Sequence, residues 1–384
     1  GLKWEPPSKG GGSRPMIAQN EEEMKMKRVL AKVRTEFFRM SRKFMAAIVT
    51  IMVFCLLSFS ATAYTGNPPI SNNGSTLTIS NGILVASIED LPGSSGIGTY
   101  TVCTGSAHTN PGQDVLYGGV AQSPWSSYNT IHVVDTGRDY VTTTSGPAPD
   151  PGYTLVALDD CSPSVVFTSP TRVKIAWTTL ENLGVVQDIE IVGTSLENTF
   201  FRVTVCVTNG DVTPHIVGIR YMWDIMIDGE DGSWIRPSPG AWTSVETTYP
   251  SPAFKYWETT NDPISPILSI LGSIILPPVV PPPTLPDNFV FASWPDIYGN
   301  AYSYTTTGQL IAGPGLDSAV AYYWDNVELS PGENKCVTAY LWCLPFLVRG
   351  VEVSISPENQ SGLPGATLDY TVTVVNTGGI TENY

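Results

Sequence analysis

The sequence predicts an all-β protein built around a large antiparallel β-sandwich at 64–349. Charged residues make up only 14% of the chain, and it contains 35 glycines and 32 prolines. This balance is typical of turn-rich β proteins rather than of helical bundles. Many short apolar runs alternate with period two, as strands do, and no stretch at 76–347 has helical periodicity. We expect a signal peptide before this sandwich and the start of a smaller sandwich after it.

The first 63 residues are expected to lie outside the folded domain. Residues 1–39 combine a Gly/Pro-rich start with a mixed charged run, which we interpret as an extension that is disordered or removed. The segment 40–63 has a basic start, the apolar run Phe44–Phe59 and the small residues Ala61-Thr62-Ala63, which match a cleaved signal peptide. The apolar run is shorter than the roughly 20 residues that a membrane span needs. We therefore expect a secreted or cell-surface protein without a membrane span in its mature part.

The stretch 200–237 is expected to form the centre of the large sandwich. Apolar side chains occupy every second position at 201–207 and again at 217–227. Between these runs, Asn209-Gly210-Asp211 supplies residues that tolerate positive φ. The simplest prediction is therefore an antiparallel hairpin, which an acidic, Gly-rich loop follows.

Other strands are expected from the same alternation. They are Asn81–Ile88, Thr130–Asp135, Tyr153–Leu158, Thr171–Thr178, Gly184–Val192, Phe289–Trp294, Ala319–Trp324 and Lys335–Trp342. The apolar, Pro-rich segment 264–288 breaks the pattern, and its prolines exclude a spanning helix. Two interpretations are open for it: an insertion packed over a sheet, or an exposed hydrophobic arm for self-association or a partner.

The segment 350–384 begins a second sandwich. It contains Ile355-Ser356-Pro357, Leu363-Pro364-Gly365 and the alternating run Tyr370–Gly378, but an Ig-like domain needs about 100 residues. This pattern resembles the start of the Ig-like repeats of the CARDB and NEW3 kind, which occur in tandem in archaeal and bacterial cell-surface proteins. Residues 76–347 are similar, more loosely, to the large sandwich modules that precede such repeats. The resemblance implies a non-catalytic surface protein with no active-site motif.

The net charge of the mature chain limits the classes of partner that it is expected to bind. From Tyr64 onward the chain has 9 basic and 30 acidic residues, which gives a net charge of −21. So acidic a surface repels nucleic-acid backbones and anionic lipids, and it favours solubility and divalent cations. Extracellular glycans or other surface proteins remain as expected partners.

Five cysteines follow the predicted cleavage site: Cys103, Cys161, Cys206, Cys336 and Cys343. Disulfides are expected in an exported protein, but spacing leaves the pairing open. On one continuous strand Cys336 and Cys343 would face opposite sides of the sheet, so they are not expected to pair with each other. No Cys/His spacing suggests a zinc or haem site.

The acidic loop is the candidate metal site. Its carboxylates are Asp224, Asp228, Glu230 and Asp231. Hard oxygen ligands of this kind suit Ca²⁺, and the glycines at 229 and 232 permit tight curvature. The loop departs from the EF-hand pattern, and an ordinary acidic turn is the alternative. No other cofactor is expected.

Carbohydrate binding is the second functional hypothesis. Trp234, Trp242 and Trp257 fall in loop-like sequence, where their rings could form a platform for sugars or could pack against the core.

A sugar-active enzyme is the more remote hypothesis. Asp224 and Asp228 on one strand would lie roughly 13 Å apart, wider than a glycosidase pair. The three histidines, His108, His132 and His215, lie in no catalytic motif. We therefore predict a non-catalytic structural or adhesion protein, with no catalytic residue assigned and a carbohydrate-binding module, calcium-dependent or not, as the alternative.

Overall fold

A computed structural model describes residues 76–91, 96–119, 124–143, 146–277, 279–344, 351–356 and 369–376. The predicted extension and signal peptide lie outside the described residues. No helix in the described part of the chain is long and apolar enough to cross a membrane.

The described elements are almost all strands. In chain order they are β1 (Leu77–Ser80), β2 (Leu84–Ile88), β3 (Tyr100–Thr104), β4 (Tyr128–Val133), β5 (Arg138–Val141), β6 (Thr154–Ala157), β7 (Ser164–Ser169), β8 (Arg172–Thr178), β9 (Leu183–Val192), β10 (Phe200–Asn209), β11 (His215–Ile225), β12 (Trp234–Ser238), β13 (Thr247–Pro250), β14 (Tyr256–Thr260), β15 (Ser269–Ser273), β16 (Asn288–Ser293), the helix α1 (Trp294–Tyr298), β17 (Ser318–Leu329), β18 (Asn334–Leu344), β19 (Val351–Ser356) and β20 (Thr371–Asn376).

Two large sheets form the sandwich. The eight-stranded sheet has the order β12-β14-β15-β18-β10-β9-β8-β7, and the seven-stranded sheet has the order β13-β16-β17-β11-β4-β5-β6. Every neighbouring pair is antiparallel except β5 and β6, which run parallel. A small sheet, β1-β2-β3, accompanies them. The predicted all-β, antiparallel sandwich is confirmed.

The predicted hairpin between β10 and β11 is wrong. β10 pairs with β9 and β18, whereas β11 pairs with β4 and β17, so the two strands lie in different sheets. The side-chain amide of Asn209 donates to the carbonyls of Thr213 and Leu329, both at 2.8 Å. These bonds hold the loop in which the chain crosses from the eight-stranded sheet to the seven-stranded sheet, so β11 does not fold back beside β10. Both strands are interior strands of their sheets, as the sequence predicted for this stretch.

The core between the sheets is aromatic. Alternate residues of β11, among them Tyr221 and Trp223, point into it, as the period-two pattern requires. The indole N–H of Trp223 donates to the hydroxyl of Tyr100, and that of Trp257 donates to Tyr322, both at 2.6 Å. The rings therefore bury large apolar areas without leaving their polar atoms unsatisfied.

The other face of the seven-stranded sheet is covered by residues 294–304, and we call it the covered face. Arg220 of β11 is fully buried there, between the rings of Tyr128 and Tyr323. Its guanidinium donates to the carbonyls of Ile297, Asn300 and Tyr302. Arg220 thus fixes the covering segment to the sheet and, with it, the helix α1.

The segment 264–288 is more regular than either interpretation supposed. It contributes β15, which pairs with β14 and β18 inside the eight-stranded sheet. Outside that strand, Ile264 and Val280 are exposed.

Cys206 of β10 and Cys336 of β18 form a disulfide across paired strands, with their Cα atoms 4.0 Å apart. This bond settles the pairing that spacing left open for these two residues. Cys161 and Cys343 are buried, and burial raises the pKa of both thiols.

The strands β19 and β20 form an antiparallel pair. The predicted alternation at both segments fits this pairing, whereas the predicted turn at Pro364-Gly365 lies outside the described residues. Membership of the Ig-like repeats stays a prediction.

Replacing both disulfide cysteines, Cys206→Ser with Cys336→Ser, should lower the free energy of unfolding by about 2–4 kcal/mol, because the bond closes a long loop in the unfolded chain. The two cysteines are 130 residues apart in sequence. Thermal unfolding followed by circular dichroism measures the change. Reductant should lower the Tm of the wild type to that of the double variant and leave the variant unchanged. An equal Tm without reductant would contradict the prediction.

Candidate functional site

The carboxyl end of β11 brings an aspartate to the covered face. Asp224 lies opposite Ala319 of β17 and faces the same side of the sheet as Met222 and Arg220. It is only 2% exposed, and its Oδ1 is buried without a hydrogen-bond partner. An acceptor left in this state costs free energy, so the position calls for a functional explanation.

Two further aspartates lie at the same end of the sheet. Asp317 immediately precedes β17, and Asp231 follows β11 in the acidic loop. The backbone N–H and the hydroxyl of Ser318 both donate to the carbonyl of Asp231 at 2.9 Å, which ties this loop to the start of β17. The Oδ1 atoms of Asp231 and Asp317 are also buried without a hydrogen-bond partner.

Burial and mutual repulsion shift the pKa values of all three carboxyls upward. Burial, followed by the charges of Asp317 and Asp231, raises the pKa of Asp224 well above its usual value. Burial and then Asp231 raise the pKa of Asp317 to about 7. For Asp231 the causes of the raised pKa are burial and then Glu230. The pKa of Asp317 therefore lies near neutrality, and the pKa values of Asp224 and Asp231 are also above their usual range.

No basic side chain in the described part of the chain forms an ion pair with this group. None of the ion pairs between described residues includes Asp224, Asp231 or Asp317. The charged neighbours that act on them are other carboxylates. Carboxyls that have raised pKa values and no ion-pair partner are found mainly at functional sites.

Aromatic rings lie beside the carboxyls. Trp125 meets Tyr117 and Trp294 edge to face, with centroids 5.9 and 5.3 Å apart. The backbone N–H of Tyr117 donates to the carbonyl of Asp224 at 3.1 Å, and that of Trp294 donates to the carbonyl of Asp317 at 3.2 Å. All three rings are half-buried. The Nε1 of Trp294 is buried and has no acceptor.

We define the acidic-aromatic site as these six residues: Tyr117, Trp125, Asp224, Asp231, Trp294 and Asp317. It offers neighbouring carboxyls with raised pKa values, one of them near neutrality, which is the kind of group that general acid and general base catalysis needs. It also offers flat apolar rings with polar edges, which suit sugars.

The structure places the four predicted metal ligands in two separate groups. Asp224 and Asp231 belong to the acidic-aromatic site, whereas Asp228 and Glu230 lie on the turn that follows β11. The strand ends at Ile225, and Asp228 is exposed with φ at 54°. The sequence estimate that placed Asp224 and Asp228 on one continuous strand is therefore wrong. In the described part of the chain, no group of three or more His, Cys, Asp or Glu side chains has an arrangement that could hold a metal ion.

The three predicted platform tryptophans are not at this site. Trp257 is wholly buried in the core, so its ring is not accessible to a sugar. Trp234 is half-buried and packs on the same core. The guanidinium of Arg236 covers Trp242, 4.3 Å from the ring centroid. The aromatic residues that do flank the carboxyls, Trp125 and Trp294, gave no signal in the sequence, because neither lies near an acidic run.

The three histidines have separate partners. His132 lies on the covered face, stacked between Tyr153 and Tyr302, and its Nδ1 contacts Asp139 at 2.6 Å.

His215 contacts Asp135 through Nδ1 at 2.7 Å and Asp211 through Nε2 at 3.1 Å. Burial lowers its pKa, but the two carboxylates outweigh burial and the net shift is upward. The Nδ1 of His108 accepts the N–H of Asn110 at 3.0 Å. His215 therefore links the loops that carry Asp135 and Asp211.

Comparison with known proteins finds similarity in structure alone. The sequence matches no protein-family model and no curated protein. Among solved structures, the chain is similar to a putative aldose 1-epimerase from Escherichia coli K12, with 13% identity and a TM-score of 0.40 over 71% of this chain and 99% of that one. A galactose mutarotase-like protein from Lactobacillus casei has 11% identity and a TM-score of 0.38 over 70% and 100% of the two chains. A putative mutarotase from Salmonella typhimurium has 8% identity and a TM-score of 0.34 over 72% and 97%.

These findings correct two predictions. The expected non-catalytic structural or adhesive role, and with it the expectation that the protein is not an enzyme, are contradicted, since the similar structures named above are epimerases and mutarotases rather than Ig-like surface modules. At such low identities and TM-scores the matches assign no role to any residue. The roles below therefore rest on the site itself.

The variant Asp317→Asn should be more stable than the wild type at pH 8 and equally stable at pH 3. The folded-state pKa of about 7 lies above the ordinary value of 3.8, so ionisation of Asp317 opposes folding progressively as the pH rises between these two values. The amide removes that penalty. We expect the Tm to rise by a few degrees, since about 1 kcal/mol corresponds to roughly 2–4 °C for a chain of this size.

Thermal unfolding at the two pH values measures the effect. The matched control is Asp228→Asn, an exposed carboxylate of the neighbouring turn, which should change neither Tm. A lower Tm for Asp317→Asn at pH 8 would contradict the prediction.

Proposed function

We propose that this protein binds carbohydrate at the acidic-aromatic site and interconverts the anomers of the bound sugar by acid-base catalysis. The observation that carries the proposal is the raised pKa of Asp317, about 7, to which burial and then the charge of the neighbouring Asp231 contribute. A carboxylic acid that is protonated near neutrality can donate a proton, and an adjacent carboxylate can accept one.

Each carboxyl has one step in the reaction. Asp231 accepts the proton of the anomeric hydroxyl while Asp317 donates its proton to the ring oxygen. The bond between the anomeric carbon and the ring oxygen breaks, the electrons of the O–H bond form the carbonyl, and an open-chain aldehyde results. Rotation about the next carbon-carbon bond followed by the reverse proton transfers closes the ring as the other anomer, and both carboxyls return to their starting states.

The remaining site residues bind and orient. The faces of Trp125 and Trp294 suit the apolar face of a sugar ring. Asp224, whose pKa is raised well above its usual value by burial, is the most deeply buried carboxyl of the site.

We also propose that the protein acts outside the cytoplasm. The predicted signal peptide at 40–63 and the disulfide between Cys206 and Cys336 support export, because disulfides persist mainly in oxidising compartments.

Addition of the protein should accelerate the change in optical rotation of freshly dissolved α-D-glucose or α-D-galactose. Polarimetry measures the rate against buffer alone. Asp317→Asn should reduce the catalysed rate by about 100-fold or more, the usual contribution of a positioned general acid. The wild-type rate should fall as the pH rises through about 7, because Asp317 then loses the proton that it must donate.

Asp228→Asn is again the matched control and should retain the full rate. Sugar binding without any acceleration would limit the function to carbohydrate binding. A rate equal to that of buffer, with no binding of either sugar to the folded protein, would overturn the proposal.

A further inference from the structure

His215 lies where the chain crosses between the two large sheets. It is the first residue of β11, directly after the loop 210–214, and its side chain is buried. Its Nδ1 contacts Asp135 of the β4–β5 connection at 2.7 Å, and its Nε2 contacts Asp211 of the loop at 3.1 Å. One imidazole ring therefore touches a carboxylate with each of its two nitrogens.

These two contacts require a charged ring. The Oδ1 of Asp135 also accepts the backbone N–H of Ile216 at 2.8 Å. The two oxygens of Asp211 accept the N–H of Val212 at 2.7 Å and the hydroxyl of Thr213 at 2.8 Å. Both carboxylates are thus acceptors, and the ring has to donate to each of them. A neutral imidazole has one N–H, whereas an imidazolium has two, so only the charged ring makes both hydrogen bonds.

The other groups around the ring do not compete for its charge. On β17 the residue opposite His215 is the uncharged Leu329. The turns after β8 and β17 are hydrogen-bonded to residues 209 and 210, and each carries a carboxylate with another partner. Glu181 forms an ion pair with Arg138, and Glu333 accepts a backbone N–H of its own turn. The charge of the ring is therefore shared between its two aspartates.

We propose that Asp135, His215 and Asp211 form a pH-dependent link that holds the loop 210–214 while the ring is charged and releases it when the ring loses a proton. We call these three residues the charged link. The neutral ring keeps one N–H, which stays with Asp135, because that contact is the shorter one and Asp135 also binds Ile216. The contact with Asp211 is then lost, and with it the attachment of the loop to the ring.

The charged link is closed over a limited range of pH. Burial lowers the pKa of His215, but the two carboxylates outweigh burial and raise the pKa above 6.5. The stabilisation is therefore complete below pH 6.5 and is lost as the pH rises through the folded-state pKa. On the acid side, hydrogen bonds from Thr213, Val212 and His215 lower the pKa of Asp211 below 3.8, so its part of the link is lost only as the pH falls through that lower value. The loop is expected to open in alkaline solution.

The charged link is separate from the acidic-aromatic site. Nine residues of β11, roughly 30 Å of strand, lie between His215 and Asp224. The inference therefore does not depend on the proposed function, and its test does not measure catalysis.

The test is NMR spectroscopy of the full chain labelled with ¹⁵N, from pH 5 to pH 9. The ring nitrogens report the protonation of each histidine, and the backbone N–H of Gly210, which donates to the carbonyl of Asn182 at 3.1 Å, reports the attachment of the loop. We expect His215 to lose its proton above pH 6.5 and His108, whose pKa burial lowers, to lose its proton below that value. Hydrogen exchange at Gly210, corrected for the intrinsic rate at each pH, should accelerate about tenfold as His215 titrates, on the scale of one charge-assisted hydrogen bond.

The variant Asp211→Asn removes one carboxylate of the charged link. It should lower the midpoint of the His215 titration and give the faster exchange at Gly210 at every pH, whereas the matched control Asp228→Asn, on another exposed turn, should change neither. The wild-type titration decides the inference even if Asp211→Asn does not fold. A midpoint for His215 at or below pH 6.5, or exchange at Gly210 that does not follow the titration of His215, would overturn the inference.

Discussion

Separation of charge along β11 is the constraint on which the site depends. Arg220 and Asp224 face the same side of the seven-stranded sheet and both are buried, yet they do not pair. Four residues of strand place them roughly 13 Å apart, and Met222 lies between them. Arg220 instead binds neutral carbonyls and the faces of two tyrosines. An ion pair with Arg220 would hold the pKa of Asp224 low and remove the coupling that shifts the neighbouring acids.

The same arginine also positions the aromatic part of the site. Its hydrogen bonds to Ile297, Asn300 and Tyr302 hold the covering segment on the sheet, and α1 begins that segment with Trp294. The uncompensated carboxyls lower the stability of the fold, which is the usual consequence of a site arranged for function. The aromatic core on the opposite face of the sheet, with its satisfied indole and phenol groups, offsets that loss.

Sequence alone predicts the strands well and the site only in part. Alternation in Val173, Ile175 and Trp177 was sufficient to orient β8, because side-chain direction on a strand is a local property. The pairing of β10 with β18 rather than β11 was not predictable, since the hydrogen bonds of Asn209 reach Leu329, far along the chain. Asp224 and Asp231 were identified from an acidic run. Asp317 was missed because it immediately precedes β17, far along the chain from the acidic run that contains Asp224 and Asp231.

Proximity in sequence was the basis on which the residues of the acidic loop were grouped. Asp228 and Glu230 were grouped with Asp224 because they are close along the chain, and a cluster of chain neighbours suggested Ca²⁺. The fold places Asp228 on an exposed turn and brings Asp317 to the group instead. Among the described residues, no basic side chain pairs with Asp224, Asp231 or Asp317, so burial and mutual repulsion raise the pKa values of all three. Carboxyls that retain protons at higher pH in this way are suited to proton transfer, a role that carboxylates spaced along an exposed turn do not have.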